Sequence, residues 1–296
     1  MPAHLARRVR EAALGYLLIL PALAAFGVFV FYPLVKTAYL GFFLAPPTPN
    51  LPLHYDGIHQ YAQVLGSSEF RGDLGRTGLF VLLTVPVAIV IGLALANLAH
   101  TRVPGIRAFR TIYSSTIATS TSVASVMFFT LLNPQVGLLS YLFGKEGGNG
   151  ILQDPTWALP AIALVTVWLN IGFTFILMSA ALQSLPQDVL EAAKVDGAGS
   201  FARFRQVTLP LLSPILFFAA VIGVISGFQA FGQIDILTQG GPNHATTVLI
   251  YDLYQQAFQY NNPGYAAVLS VALFVILLLL TFVQFWFFQR RVSYAN

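Results

Sequence analysis

Few side chains in this 296-residue chain are of the kinds that do covalent or acid–base chemistry, and they do not gather into a working set. Cysteine is absent, which excludes disulfides, thiolate metal sites and thiol nucleophiles. His54 and His59 lie five residues apart in a proline-rich stretch without a clear third ligand, so they read as solvated histidines in preference to a metal site. Gly144-Lys145 is followed by Glu146 and lacks the glycine spacing of a phosphate-binding G-x-x-x-x-G-K-[ST] loop. No H-E-x-x-H is present. The long apolar runs hold no Asp or Glu, which removes the paired carboxylates of a proton relay, and no Lys or Arg. The chain is expected to catalyse nothing by itself.

What the apolar runs do carry is neutral polarity. Ser115, Thr119 and Ser122, with Thr116 and Ser120 beside them, recur one helical turn apart. Two readings fit: small hydroxyl residues that let helices approach and bond, or the lining of a translocation pathway. Asn170 falls about midway along a later run, roughly 20 Å from each end by the helical rise. An amide at that depth needs a partner, either a solute or another helix. Gln229 and Gln233, four apart near the end of the next run, repeat the pattern. Hydroxyls and amides suit a ligand with many hydroxyl groups. An anionic solute would have to rely on helix N-termini, backbone amides or another chain.

The elements that must position these residues follow from composition. The chain is 56% hydrophobic and 9% charged, with mean hydropathy +0.73. Soluble domains carry about 25% charged residues, so an all-α integral membrane protein is predicted. Six charge-free runs reach the roughly 20 residues that cross a bilayer: about 13–35, 77–99, 111–132, 157–183, 211–231 and 265–288. Ala22-Leu23-Ala24 resembles a signal cleavage site, but the first run continues well past it and reads as an uncleaved helix. Between the first two runs, Pro46, Pro47, Pro49 and Pro52 mark a loop with short surface helices.

An even number of crossings leaves both termini, 1–12 and 290–296, on one side. That side holds 11 of the 15 Lys and Arg: Arg7, Arg8, Arg10, Arg102, Arg107, Arg110, Lys194, Arg203, Arg205, Arg290 and Arg291. The other holds Lys36, Arg71, Arg76 and Lys145. The positive-inside rule therefore predicts cytoplasmic termini, and a cytoplasmic segment 184–210. The basic pI near 9.4 is a topology signal, with no nucleic-acid signature.

That segment is a polar, mixed-charge interval between two long apolar runs. The sequence predicts a helix over Gln187–Val195 with Asp188 and Glu191 near its start. Gly197 and Gly199 break it, Ser200 is placed to cap a second short helix through Gln206, and Pro210 precedes the fifth run. Two short helices at an angle would fit a groove in a soluble partner.

Glu191-Ala192-Ala193, three residues, Gly197, nine residues, then Val207-Thr208-Leu209-Pro210 resembles the E-A-A-x3-G-x9-I-x-L-P motif of permease subunits in binding-protein-dependent ABC importers, with Val207 in place of isoleucine. Leu237-Thr238-Gln239-Gly240-Gly241-Pro242, followed by Ala245-Thr246-Thr247, is similar to the sugar and sn-glycerol-3-phosphate branch. The resemblance implies the type I importer permease fold in a bacterial or archaeal plasma membrane. It implies a second homologous permease, two ATPase subunits that carry the ATP and Mg, and an extracytoplasmic solute-binding protein. No cofactor is expected in this chain. Carried over residue by residue, it assigns ATPase coupling to Glu191, Ala192, Ala193, Asp196, Gly197, Leu209 and Pro210. Gly240, Gly241 and Pro242 become a contact for the binding protein, an element closing the pathway, or a plain surface turn. A self-contained polyol or sugar facilitator is the alternative. Sugars, oligosaccharides, glycerol-3-phosphate and glycerophosphodiesters all stay open, with a preference for the glycerol-phosphate group resting on the resemblance.

Overall fold

A computed structural model of the chain describes residues 3–45, 52–100, 105–135, 137–138 and 150–289. Arg102, Lys145, Glu146, Arg290 and Arg291, on which part of the charge count rests, lie outside the described residues, as do Pro46, Pro47 and Pro49. Helix α1 (Ala3–Phe26) continues through a π-helical turn, Gly27–Phe31, into α2 (Tyr32–Leu40). Strands β1 (Phe43–Leu44) and β2 (His54–Tyr55) pair antiparallel, and α3 (Ile58–Gly66) and α4 (Ser68–Ala99) follow. Next come α5 (Ile106–Ser115), a 3-10 turn over Thr116–Ala118, α6 (Thr121–Leu132) and α7 (Ala158–Gln183). The polar segment forms α8 (Gln187–Val195) and α9 (Ser200–Arg203), then a π-helical stretch, Phe204–Thr208, and α10 (Leu209–Leu211). Helices α11 (Ser213–Phe228), α12 (Gly232–Leu237), α13 (Leu249–Tyr254) and α14 (Pro263–Gln289) complete the order.

Among the described residues, four helical stretches are long and apolar enough to cross a membrane: Gly15–Leu40, Ser68–Ala99, Ala158–Gln183 and Pro263–Phe287. Two bent pairs bring the number to six if each is one span. Ile106–Ala118 and Thr121–Leu132 meet at 105°, and Ser200–Leu211 and Ser213–Phe228 at 66°.

The third and fifth runs thus differ from the straight helices expected over 111–132 and 211–231. At the first break the hydroxyl groups compete for backbone. Ser115 Oγ donates to the Ile112 carbonyl at 2.7 Å and Thr116 Oγ1 to the Tyr113 carbonyl at 3.0 Å. Thr119 is extended, and Ser120 caps α6 by accepting from the Val123 amide. At the second, Pro210 and Pro214 each lack an N–H on either side of Leu212. The second helix also starts nine residues before the predicted 77, at Ser68, and takes Glu69, Arg71, Asp73 and Arg76 into its first turns.

The described chain divides into two units. In Met1–Ser67 with Leu253–Ala272, the first helical stretch leaves its apolar side chains exposed, Leu18 80% and Phe29 78%, as a lipid-facing surface would. Here Tyr61 donates to the Ala38 carbonyl at 2.7 Å, and burial pushes its hydroxyl above the usual phenol range. In Ser68–Asp252 with Leu273–Asn296, the core is the α4/α7 pair. The two backbones approach at Gly92, where a β-carbon would lie 2.6 Å from Thr174 Cβ, and Thr174 Oγ1 donates to the Ala88 carbonyl at 3.2 Å. The small residue makes the close approach possible. Leu93, Ala96, Phe175, Met178, Leu182, Leu185 and Leu212 form one apolar cluster at the C-terminal ends of these two helices. Arg110 closes the α4 end, donating from Nη2 to the Ala99 carbonyl at 2.6 Å, a C-terminal cap that also suits the helix dipole.

Candidate functional site

The polar segment is attached to the apolar cluster through its own side chains. Leu190, Phe204 and Leu209 pack on the cluster, while Glu191, Ala192, Lys194, Asp196 and Gly197 are exposed and Ala193 is half-buried. Asp188 in the first turn of α8 and Lys194 in the last both match the helix dipole. The helix ends in a Schellman turn. The Ala198 amide donates to the Ala193 carbonyl and the Gly197 amide to the Lys194 carbonyl, both at 3.1 Å, with Gly197 at φ +80°. A β-carbon on Gly197 would touch nothing within 4 Å, so the glycine is needed for its dihedral alone. Gly199, with extended backbone, stands at the start of α9. Ser200 is the first helical residue and not the expected cap.

Two exposed apolar side chains complete this surface. Val195 is 87% exposed and Phe201 75%, on either side of the Gly197 turn. Sequence reading by charge and glycine spacing passes over them, because apolar residues in short helices read as anchors. Both stand exposed on a segment held from beneath by Leu190, Phe204 and Leu209, with the exposed charges of Glu191, Lys194 and Asp196 on the same stretch.

The expected pathway residues fall in three places. Asn170 on α7 is half-buried and lines a small cavity of about 40 Å³ with Ala88 and Ile89 of α4 and Ile222 and Ser226 of α11. Thr119, half-buried, sits at the break between α5 and α6, with Ser115 and Ser122 exposed on either side of it. The adjoining 3-10 turn packs on Gly172, about 200° around α7 from Asn170. Within this chain, therefore, the hydroxyl-rich elbow and the Asn170 amide occupy opposite faces of α7. Gln229 is exposed at the end of α11, whereas Gln233 is buried on the separate helix α12, so the two do not share a helix face.

Gly240, Gly241 and Pro242 belong to a tied loop. Thr246 Oγ1 donates to the Gly241 carbonyl at 2.7 Å and pairs with Thr238 Oγ1, and Thr247 Oγ1 donates to the Gly240 carbonyl at 3.1 Å. Gly241 and Pro242 also line a cleft of about 300 Å³ with Phe129, Asn133 and Gln153. His59 Nδ1, one of the two sequence-flagged histidines, lies 3.2 Å from Asp56 Oδ2.

Residues 62–293 match the model of the family described as the binding-protein-dependent transport system inner membrane component. The chain belongs to that family. As a member, this permease is a multi-pass inner-membrane transport component. It is 33% identical over 283 residues to the sn-glycerol-3-phosphate transport system permease protein UgpA of Yersinia enterocolitica, covering 95% of this chain and 96% of the relative. Its identity to the protein of the same name from Agrobacterium fabrum is also 33%, over 287 residues, with 95% and 97% covered. The fold is that of a solved bacterial ABC transporter involved in the import of the acidic polysaccharide alginate: TM-score 0.81 at 21% identity, over 98% of this permease and 100% of that chain. Family membership favours the importer subunit over a self-contained facilitator.

Proposed function

We propose that this permease is one half of the membrane pathway of an ATP-driven importer for a glycerol-phosphate or sugar-type solute. The solute is delivered by an extracytoplasmic binding protein. A second homologous permease completes the pathway, and two ATPase subunits hold ATP and Mg and dock on the coupling segments of the two permeases, 184–210 in this chain. Both termini and this segment face the cytoplasm. One observation carries the coupling role: Val195 and Phe201 are presented to solvent on either side of the Schellman turn while Leu190, Phe204 and Leu209 root the same segment in the apolar cluster. Motion of a docked partner is then transmitted to α4, α7 and α11 by rigid-body contact.

The substrate class is supported by two sn-glycerol-3-phosphate permeases that align along nearly the whole chain. Calorimetry of the cognate binding protein against sn-glycerol-3-phosphate, glycerophosphodiesters, disaccharides, oligosaccharides, amino acids and divalent metal ions tests it. Tight binding of a glycerol phosphate supports the narrower reading; binding confined to amino acids or metal ions removes the whole class.

A further inference from the structure

The first turns of α4 carry a charge cluster whose partners lie more than 170 residues away along the chain. Asp73 is 3% exposed and Asp252 7%. The Asp252 carboxyl lies beside that of Asp73 and acts on it electrostatically, and Arg76 pairs with Asp73 through Nη2. From the same guanidinium, Nε donates to the Thr247 carbonyl at 2.7 Å. One residue on, Thr77 Oγ1 donates to the Asp73 carbonyl at 2.7 Å and accepts from the Leu249 amide at 2.9 Å. Burying two carboxyl groups against one guanidinium is costly, and a hydrophobic contact would join two helices more cheaply. What the cluster gains is a fixed position for the backbone from Thr247 to Leu249.

That backbone in turn fixes the loop before it. Thr247 reaches the Gly240 carbonyl, and Tyr251, fully buried, lies under Gly240, where a β-carbon would come 2.8 Å from its ring. The tip holds Gln239, Asn243 and His244 at φ of 51°, 49° and 59°, with Gly240 at 82°. Asn243 and His244 enter the left-handed region more readily than most residues, but three non-glycine residues there within six positions is uncommon, and such conformations concentrate at functional contacts. All three are exposed.

We propose that Asp73, Arg76 and Thr77 are positioning residues for solute delivery: they hold the Gln239–His244 tip in the shape that receives the extracytoplasmic binding protein, with Asn243 and His244 making the contact. This rests on the importer reading, in which the tip faces outward. Lysine cannot replace Arg76, because pairing with Asp73 and bonding to Thr247 use two directions of one planar fork.

The test uses the assembled importer with its binding protein, measuring ATP hydrolysis against binding-protein concentration. Arg76→Gln is expected to raise the half-saturating concentration about tenfold, the loss of one charge-assisted hydrogen bond, while the maximal rate holds. Thr77→Val should act in the same direction and decides the matter if Arg76→Gln fails to assemble. A nitroxide on Asn243→Cys, attached to this chain before assembly and specific there because it has no other cysteine, should gain mobility in both variants. Asn243→Ala with His244→Ala tests the contact itself. If this pair leaves half-saturation unmoved, the reading of the tip as the docking contact falls. If the pair moves it and the Arg76 and Thr77 variants do not, the positioning role falls. A drop in maximal rate at unchanged half-saturation marks the cluster as merely structural and overturns the proposal.

Discussion

Gly172 of α7 and Ile117 at the elbow between α5 and α6 meet with no room for a side chain. A β-carbon on Gly172 would lie 2.7 Å from the Ile117 amide nitrogen and 3.2 Å from the Tyr113 carbonyl oxygen. The Thr116 hydroxyl is nearer still and could rotate away, but the two backbone atoms cannot swing aside. Gly172→Ala should therefore destabilise the permease by about 1–3 kcal/mol through overpacking, read as a lowered midpoint of thermal unfolding. Gly223→Ala, where the nearest atom is a Val85 methyl at 2.8 Å, should cost less. Equal losses would mean that the elbow does not rest on Gly172.

Thr174 separates packing from hydrogen bonding at the α4/α7 contact. Its hydroxyl reaches the Ala88 carbonyl but also bonds within its own helix, to the Asn170 and Ile171 carbonyls. Thr174→Val preserves the shape and should cost only about 0.6 kcal/mol, the typical worth of an interhelical bond in a membrane. Gly92→Val, facing the same residue, should prevent stable assembly. Detergent-stability curves of the two variants check the contrast.

The Gly197 turn is a purely conformational requirement. With nothing near its absent side chain, Gly197→Ala should cost about 1–2 kcal/mol locally for the left-handed dihedral, and Gly197→Asn less, since asparagine tolerates that region. Transport-linked ATP hydrolysis should follow the order Gly, Asn, Ala, with the permease still inserted and assembled in each case. Glu191→Lys, which reverses an exposed charge on the same segment, should uncouple hydrolysis without unfolding. Normal stimulated hydrolysis in an assembled Glu191→Lys complex would remove Glu191 from the contact.

Much of this arrangement is legible in the sequence where the signal is local. The α8 boundaries follow from Pro186, Asp188 and Gly197, and the four long spanning helices follow from runs without charge. The break at Thr119 is illegible because Ser115, Thr116, Thr119 and Ser122 fit a helix face as well as they fit a helix stop. Whether the hydroxyls bond to another helix or to their own backbone decides between the two. The Asp73, Arg76 and Asp252 cluster is illegible for a different reason: each residue alone reads as solvated loop charge, and only the folded chain brings Arg76 to Thr247. Gln229 and Gln233 share a spacing, but the turn between α11 and α12 takes them apart.

Asn170 and Gln233 should respond differently to truncation. Asn170→Ala is expected to change the half-saturating solute concentration for uptake while leaving assembly intact, since the amide lines a cavity and is half-buried. Gln233 is 8% exposed, so Gln233→Ala should lower stability by about 1–3 kcal/mol through lost packing and partners. Uptake kinetics and thermal unfolding, run on both variants, separate the roles.

The proposed dependence on a partner's ATP is the claim on which the other roles rest. The most direct measurement is accumulation of labelled sn-glycerol-3-phosphate in vesicles containing the purified complex and its binding protein, with and without enclosed ATP and Mg. The prediction is accumulation only with ATP, abolished by Glu191→Lys in an intact complex. Equilibration of the solute without nucleotide, unaffected by that substitution, would contradict it.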